Sequence, residues 1–210
     1  MVKKSISVLK IMNNRKKIRL KNYDYSENGA YFVTICTYEK KCIFGYVKDG
    51  IMHCNDYGKI ANEEIENTIK LREKSGVTIN KYVIMPNHVH LIIEITKESG
   101  ESDVGTRRAV SGDKHNAFSK PVPQSISTIV GAYKSAVTRR INLQGGHGTP
   151  CPYEKSAKSP IWQSRFHDHI IRTQNDYDKI WKYIDTNPLK WELDKYYMQS
   201  ICSKLNQDKE

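Results

Sequence analysis

His88 and His90 flank a single apolar residue, and this pair of histidines could take part in metal binding or catalysis. Apolar residues alternate along the chain around them, which is typical of a β-strand. Side chains two positions apart in a strand point to the same face, so the two imidazoles are predicted to lie side by side. Such a pair could hold one divalent cation. The competing interpretation is one surface histidine and one ordinary strand residue.

Tyr183 and Asn187 form a second pair, four residues apart in a segment with helical periodicity. Residues with this spacing lie about 40° apart around a helix and one turn apart along it. A phenol and a carboxamide are thus predicted to project from one face. If that face covers the histidines, Asn187 could supply a third metal ligand and Tyr183 a nucleophile for cutting a phosphodiester. Tyr183 is one of 13 tyrosines, and simple packing is the alternative.

The charge of the chain predicts an anionic partner. Its 210 residues include 34 Lys or Arg against 23 Asp or Glu, a formal net charge of +11. Nucleic acid is the first candidate, because basic residues that approach a polyanion release its counterions. A solvated basic surface without function is the alternative. The candidate DNA-binding residues are Arg15, Lys16, Lys17, Arg19, Lys134, Arg139, Arg140, Arg165 and His167.

Cysteine usage and hydropathy narrow the class of protein. The five cysteines include no CxxC pair, so they predict neither a disulfide framework nor a structural zinc site, and they fit thiols in a reducing compartment. No apolar segment is long enough to cross a bilayer, and no apolar region of a signal peptide follows the basic N-terminus. The sequence therefore predicts a soluble cytoplasmic protein without a membrane partner, associated with the nucleoid.

The elements that must position these residues follow a βαββαβ order. This order predicts a ferredoxin-like or RRM-like α+β fold, an antiparallel sheet with helices on one face and an additional C-terminal helix that carries Tyr183. Strands are predicted over residues 30–38, 78–84, 88–95 and 161–172, helices over 57–74 and 125–142, and the last helix from 175 or 176 to Pro188.

The remaining segments complete one predicted domain over residues 1–210. Residues 1–21 are predicted to be a basic tail, because they are rich in Lys and Arg and contain no acid. Residues 97–123 and 144–159 are polar and rich in turn-forming residues, and they are predicted to be mobile loops.

Taken in order, the motifs resemble those of the IS200-like Y1 (HUH) transposases. Met-Pro-Asn-His-Val-His at 85–90 and Tyr-Ile-Asp-Thr-Asn-Pro at 183–188 carry the resemblance, and the Tyr-x-x-x-Asn-Pro form is most similar to the REP-associated tyrosine transposase branch. Further agreement comes from residues 29–37, 134–139 and 162–168. The resemblance extends over about residues 15–192.

The resemblance implies a DNA endonuclease and strand transferase. It implies that His88, His90 and Asn187 bind Mg²⁺ or Mn²⁺, and that Tyr183 attacks single-stranded DNA to form a 5′-phosphotyrosine and release a 3′-hydroxyl. The implied substrate is DNA that contains or adjoins a hairpin, cleaved and rejoined in transposition. A monomer is favoured over a homodimer. His169, like His167, is interpreted as a DNA-contacting or structural residue.

A function from another class stays open at this stage. A catalytically inactive, transposase-derived protein could bind structured single strands through its basic residues and through aromatic side chains such as Tyr31, Phe32 and Trp162. A pure binding protein has no chemical need for two histidines, a tyrosine and an asparagine in these spacings. Metal-dependent cleavage of hairpin DNA distinguishes the two functions.

Overall fold

The computed structural model describes residues 23–96, 124–144, 160–194 and 196–197. The predicted elements occur there in the predicted order. They are β1 (Gly29–Cys36), β2 (Gly45–Lys48), β3 (Ile51–Cys54), α1 (Asp56–Arg72), β4 (Val77–Met85), β5 (His88–Ile95), α2 (Ile126–Gln144), β6 (His167–Ile171) and α3 (Gln174–Asp185). Short 3₁₀ helices cover Tyr38–Lys40, Glu73–Ser75 and Pro188–Leu193.

Four strands form one antiparallel sheet in the order β4-β5-β1-β6. With the small β2–β3 hairpin left aside, the chain runs β1-α1-β4-β5-α2-β6 and places β1 and β5 at the centre of the sheet. This is the ferredoxin-like arrangement of a βαββαβ unit. The predicted fold class is therefore confirmed.

One face of the sheet carries the main hydrophobic core. Alternate residues of β1 and β5, among them Val33 and Leu91, are buried against α1 and α2. The side of α2 that packs on the sheet contains Ile126, Ile129, Val130, Tyr133 and Val137, all buried. These five residues recur at helical spacing in the sequence, which is why α2 could be predicted together with its buried face.

The opposite face of the sheet carries α3. Thr173 caps this helix, because its hydroxyl oxygen accepts a hydrogen bond from the amide of Asp176 at 3.1 Å. Ile184, the one buried residue of α3, packs against Ile92 and Ile171 of the sheet. The imidazoles of β5 project from this same face, so α3 lies over the surface on which they stand.

The strand predicted over residues 161–172 is shorter than expected, because only His167–Ile171 pair with β1. Trp162 instead forms an isolated bridge with Thr37, and its indole N–H donates to the carbonyl of Lys134 at 3.2 Å. Trp162 is buried beside Phe44 and Tyr133. The strand-like composition around Trp162 thus reflects burial of a connecting segment, since an aromatic residue can fill a core without belonging to a strand.

No helix among the described residues is long and apolar enough to cross a membrane. Of the cysteines in this part of the chain, Cys36 and Cys54 are thiols outside any disulfide, and Cys42 is disulfide-bonded. The expectation of thiols alone is therefore wrong at Cys42, because an odd cysteine count leaves one thiol over but does not exclude a single bridge. The predicted tail and the segments 97–123 and 145–159 lie outside the described residues, and Gln144 is the last residue of α2.

Candidate active site

His88 and His90 lie side by side on the α3 face of the sheet, with ring centroids 4.4 Å apart. The strand geometry predicted for this pair is therefore present. Both residues are almost completely inaccessible, with 0% and 1% of their surface exposed. Buried imidazoles need hydrogen-bond partners or a metal to offset the loss of water, so their neighbours decide what they can do.

Asn87 fixes the tautomer of His88. Its side-chain amide group donates to the carbonyls of Lys40 and Tyr196 at 3.1 and 2.8 Å, which orients its oxygen toward His88. That oxygen lies 2.8 Å from Nδ1 of His88. Since an amide oxygen only accepts, Nδ1 carries the proton and the lone pair belongs to Nε2. An imidazole held in this way is prepared to act as a metal ligand through Nε2.

His90 is held by β1 and faces the tyrosine of α3. Nδ1 of His90 lies 2.9 Å from the hydroxyl of Thr34, its cross-strand partner, and Nε2 lies 3.3 Å from the hydroxyl of Tyr183. The ring of Phe32 packs on His90 and meets Tyr183 edge-on, with centroid distances of 5.1 and 6.0 Å. The face of the last helix that carries Tyr183 therefore covers the histidines.

Tyr183 and Asn187 converge on one carboxylate. Asp194 follows the last 3₁₀ helix, and its Oδ2 accepts hydrogen bonds from the Tyr183 hydroxyl at 2.8 Å and from the Asn187 amide at 2.9 Å. The backbone of Asn187 keeps helical angles (φ −60°, ψ −44°) although α3 ends at Asp185, which preserves the one-turn spacing from Tyr183. The two predicted residues therefore share a face and a hydrogen-bonding partner.

The environment of Tyr183 favours the protonated phenol. Burial raises the pKa of Tyr183 well above its ordinary value, the hydrogen bond to Asp194 and its negative charge raise it further, and a hydrogen bond to Asn187 acts in the opposite direction. Even so, 37% of the Tyr183 surface is exposed. A nucleophile of this kind is reachable from solvent but needs assistance to lose its proton at neutral pH.

The site has the ligand atoms that a divalent cation requires. One ligand atom from each of His88, His90 and Asp194 lies within 4.8 Å of the others, so this group could hold a metal ion. Oδ1 of Asn187 is buried and has no hydrogen-bonding partner among the described residues. Imidazole nitrogens with carboxylate and amide oxygens suit Mn²⁺, and oxygen ligands suit Mg²⁺. The residues present therefore fit a divalent cation.

No family model matches the chain, but a known protein is similar to it along most of its length. A Haemophilus influenzae protein described as uncharacterized is 33% identical over 188 residues, which cover 89% of this chain and 95% of that protein. The chain belongs to the family of that protein. Because this relative has no described activity, membership of its family assigns none.

Two solved structures are similar at lower levels. A REP-associated tyrosine transposase bound to a REP hairpin is 18% identical with a TM-score of 0.45, over 82% of this chain and 73% of that one. A candidate transposase from Deinococcus radiodurans is 14% identical with a TM-score of 0.41, over 80% and 96% of the two chains. At these values the likenesses decide nothing about the activity of this chain.

The described members of the predicted DNA-binding set lie on different elements. Lys134 and Arg140 lie on α2, which packs on the face of the sheet opposite the histidines. Lys134 donates to the carbonyls of Gln163 and Ser164 at 2.5 and 3.4 Å. Arg140 is ion-paired with Glu63 and Glu64. Arg139 and Arg165 are exposed, and His167 is exposed on β6. Its cross-strand partner Thr34 also pairs with His90, so His167 shares the face of the site. Arg15, Lys16, Lys17 and Arg19 lie outside the described residues.

Sequence reasoning missed three residues of the site. No sequence pattern indicates Asp194, because it lies seven positions after Asn187 and only the 3₁₀ helix returns it to the tyrosine. Asn87 lies directly before the histidines in the sequence, but no sequence pattern shows that its side chain orients His88. Thr34 lies in a strand whose composition predicts burial, and only the pairing of β1 with β5 shows that it faces His90.

Proposed function

We propose that this protein is a metal-dependent tyrosine transposase that cleaves and rejoins single-stranded DNA through a 5′-phosphotyrosine. The observation that carries the proposal is the position of the Tyr183 hydroxyl, which lies 3.3 Å from Nε2 of His90 and 2.8 Å from the carboxylate of Asp194. The candidate nucleophile thus adjoins the candidate metal ligands. The motif resemblance described above, to IS200-like Y1 transposases of the REP-associated branch, supports the same function.

In this proposal, His88, His90 and Asp194 would hold Mg²⁺ or Mn²⁺, and the buried oxygen of Asn187 would complete the set. When bound, such a cation polarises a non-bridging phosphate oxygen. Asn87 and Thr34 orient the two imidazoles, and Phe32 packs against His90 and Tyr183. These contacts fix the nucleophile and the ligands before DNA arrives, which reduces the reorganisation needed at the moment of reaction.

The proposed step conserves the phosphodiester. The hydroxyl oxygen of Tyr183 forms a bond to phosphorus, and the bond from phosphorus to the 3′ oxygen of the preceding nucleotide breaks. Asp194 already accepts the hydrogen bond of this hydroxyl and is placed to take its proton, and the departing 3′ oxygen takes a proton from water to become a hydroxyl. Attack by a 3′-hydroxyl on the phosphotyrosine reverses the step and rejoins DNA without an external energy source.

The proposed partner is single-stranded DNA that contains or adjoins a hairpin, processed by a monomer at the nucleoid. The net charge of +11 supports a polyanionic partner. The proposal includes the endonuclease, recombination and transposition activities that the motif resemblance implies. A catalytically inactive single-strand binding protein is the alternative that the experiment must separate from it.

A covalent-adduct assay tests the proposal. The full-length protein is incubated with labelled hairpin oligonucleotides from its own genomic flanks in Mg²⁺, Mn²⁺ or chelator, and the products are resolved on a denaturing gel. The wild-type protein is expected to form a slow-migrating covalent band with either or both cations. Tyr183→Phe is expected to form none, while Tyr177→Phe, on the same helix, keeps the band.

Three results would count against the proposal. A band that persists in Tyr183→Phe shows that another residue is the nucleophile, and a band that persists in chelator shows that no metal is needed. Tight hairpin binding without a band in either cation identifies the protein as a binding protein instead.

A further inference from the structure

A cleft of about 370 Å³ opens beside the histidine pair, on the same face of the sheet. Its side chains come from β1, from the turn after β1, from β6 and from the C-terminal segment, and they include Phe32, Thr34, Lys40, His167, His169 and Tyr196. Thr34 pairs across the sheet with both His90 and His167, so one strand separates the cleft from the candidate metal site. Its volume lies in the ~300–1,000 Å³ range of ligand pockets.

Two residues that line the cleft are tied to the histidine motif. The Asn87 amide that fixes His88 donates to the carbonyls of Lys40 and Tyr196. Glu39 and Lys40 both have φ of +54°, a left-handed conformation that non-glycine residues rarely adopt. Such angles persist where surrounding contacts enforce them, and they cluster at functional sites. The cleft is therefore a structurally fixed part of the site.

The lining combines positive charge with aromatic surface. The ammonium group of Lys40 lies 5.4 Å from the ring centre of Tyr196. The imidazoles of His167 and His169 are exposed on β6, which is an edge strand of the described sheet. Asp168 also borders the cleft, but its cross-strand partner Val33 is buried in the core on the other face, so strand alternation directs its carboxylate away. An ammonium group, imidazole side chains and aromatic ring faces together suit a phosphate and a base.

We propose that this cleft binds one nucleotide of the single strand, next to the phosphate that Tyr183 attacks. Lys40, His167 and His169 would contact the phosphate of that nucleotide, and its base would lie against the aromatic lining. Phe32 connects the two sites, since its ring contacts Tyr183 and His90 and also lines the cleft. This inference rests on the proposed function, and it assigns the direction of the strand from the active site toward β6.

Binding to single-stranded DNA without metal tests the cleft separately from cleavage. Fluorescence anisotropy is measured for the full-length protein in chelator, with a labelled oligothymidylate of about 12 nucleotides and a series of salt concentrations. Lys40→Ala is expected to weaken binding and to reduce the slope of log affinity against log salt by about 0.7, the value for one phosphate contact on a single strand. His167→Ala with His169→Ala is expected to weaken binding roughly tenfold, by loss of stacking and phosphate contacts.

The matched controls are an exposed lysine and an exposed histidine that do not line the cleft. Lys59→Ala removes an exposed lysine paired with Asp56, and His53→Ala removes an exposed histidine stacked on Tyr46. Both are expected to keep the wild-type affinity and salt slope. Wild-type affinity and slope in the cleft variants, or equal losses in the controls, would overturn the proposal.

Cross-linking keeps the inference testable if a cleft variant fails to fold. The wild-type protein is irradiated with the same oligonucleotide carrying 5-iodouracil, and the linked peptides are identified by mass spectrometry. Links to the peptides of Phe32, Lys40, His167, His169 or Tyr196 are expected, and links confined to other peptides would contradict the cleft. Cleft binding without a covalent Tyr183 adduct would refute the proposed function alone, whereas an adduct with cleft-independent binding would refute only this inference.

Discussion

The side-chain oxygen of Asn87 lies 2.8 Å from Nδ1 of His88, and the amide nitrogen of the same residue holds the backbone at Lys40 and Tyr196. Asn87 is completely buried. One side chain thus orients a candidate ligand and fixes two segments of the chain that are distant in sequence. Orientation of the metal site and stability of the loops around it are therefore coupled.

Asn87→Ala is expected to weaken both properties at once. The carbonyls of Lys40 and Tyr196 lose their donor, and the hydrogen bond to Tyr196 is buried. An unsatisfied buried group costs about 1–3 kcal/mol of the free energy of unfolding. Loss of the partner that orients a metal-binding histidine typically reduces metal affinity about 10- to 100-fold. Urea unfolding in chelator measures the first effect and a Mn²⁺ titration the second. Asn67→Ala, at an exposed position on α1, serves as the control. Unchanged Mn²⁺ affinity in a folded Asn87→Ala protein would contradict the role assigned to Asn87.

Mn²⁺ is expected to stabilise the folded protein through His88, His90 and Asp194. A ligand present at a hundredfold above its dissociation constant adds about 2.7 kcal/mol to the free energy of unfolding. His90→Ala and Asp194→Asn are expected to lose most of this gain, because each removes one member of the ligand group. The measurement is the urea midpoint with and without Mn²⁺. His53→Ala should respond to Mn²⁺ as the wild-type protein does, and an equal response in His90→Ala would place the metal elsewhere.

Ile184→Ala is expected to loosen the helix that carries Tyr183. Ile184 is completely buried against Ile92 and Ile171, and it is the one buried residue of α3. Truncation of a buried isoleucine to alanine costs about 2–5 kcal/mol of unfolding free energy. Leu193→Ala, at a residue that is 87% exposed, is the matched control and should change stability by less than about 0.5 kcal/mol. Similar effects from the two substitutions would mean that α3 does not dock through Ile184.

The stability of the fold is expected to decline in alkaline solution, in part because of Tyr82. Burial, followed by the hydrogen bond to Glu66, raises the pKa of Tyr82 from 10.0 to about 12. A pKa raised in the folded state means that the contribution to stability is complete below pH 10 and is lost as the pH rises through 12.

Urea midpoints between pH 9 and pH 12 would check the contribution of Tyr82. Tyr82→Phe should show a shallower decline than the wild-type protein, and Glu66→Gln an intermediate one, because it removes the charge that favours the protonated phenol. Some decline should remain in both, since burial also raises the pKa values of Tyr31 and Tyr133. An unchanged slope in Tyr82→Phe would contradict the effect.

Much of the fold was predictable because periodicity reports local geometry directly. The alternation around His88 and His90 placed both imidazoles on one face of a strand. The apolar residues that recur at helical spacing in α2 are buried, namely Ile126, Ile129, Val130, Tyr133 and Val137. The interpretation of Trp162 as a strand residue was wrong, because burial and strand formation favour the same aromatic residues. The disulfide at Cys42 was not predicted either, because pairing of a cysteine depends on distance in space and not on local sequence.

The sequence by itself determined which residues share a face, namely His88 with His90 and Tyr183 with Asn187, because a strand and a helix each have a fixed period. Only the tertiary structure decided that these faces meet. It also decided that Asp194 returns to Tyr183, that Asn87 reaches Lys40 and Tyr196, and that Arg140 pairs with Glu63 and Glu64 on the far side of the sheet. The physical reason is that a hydrogen bond or a ligand set requires contact within a few ångströms, and the packing of α3 and the last 3₁₀ helix on the sheet sets those distances.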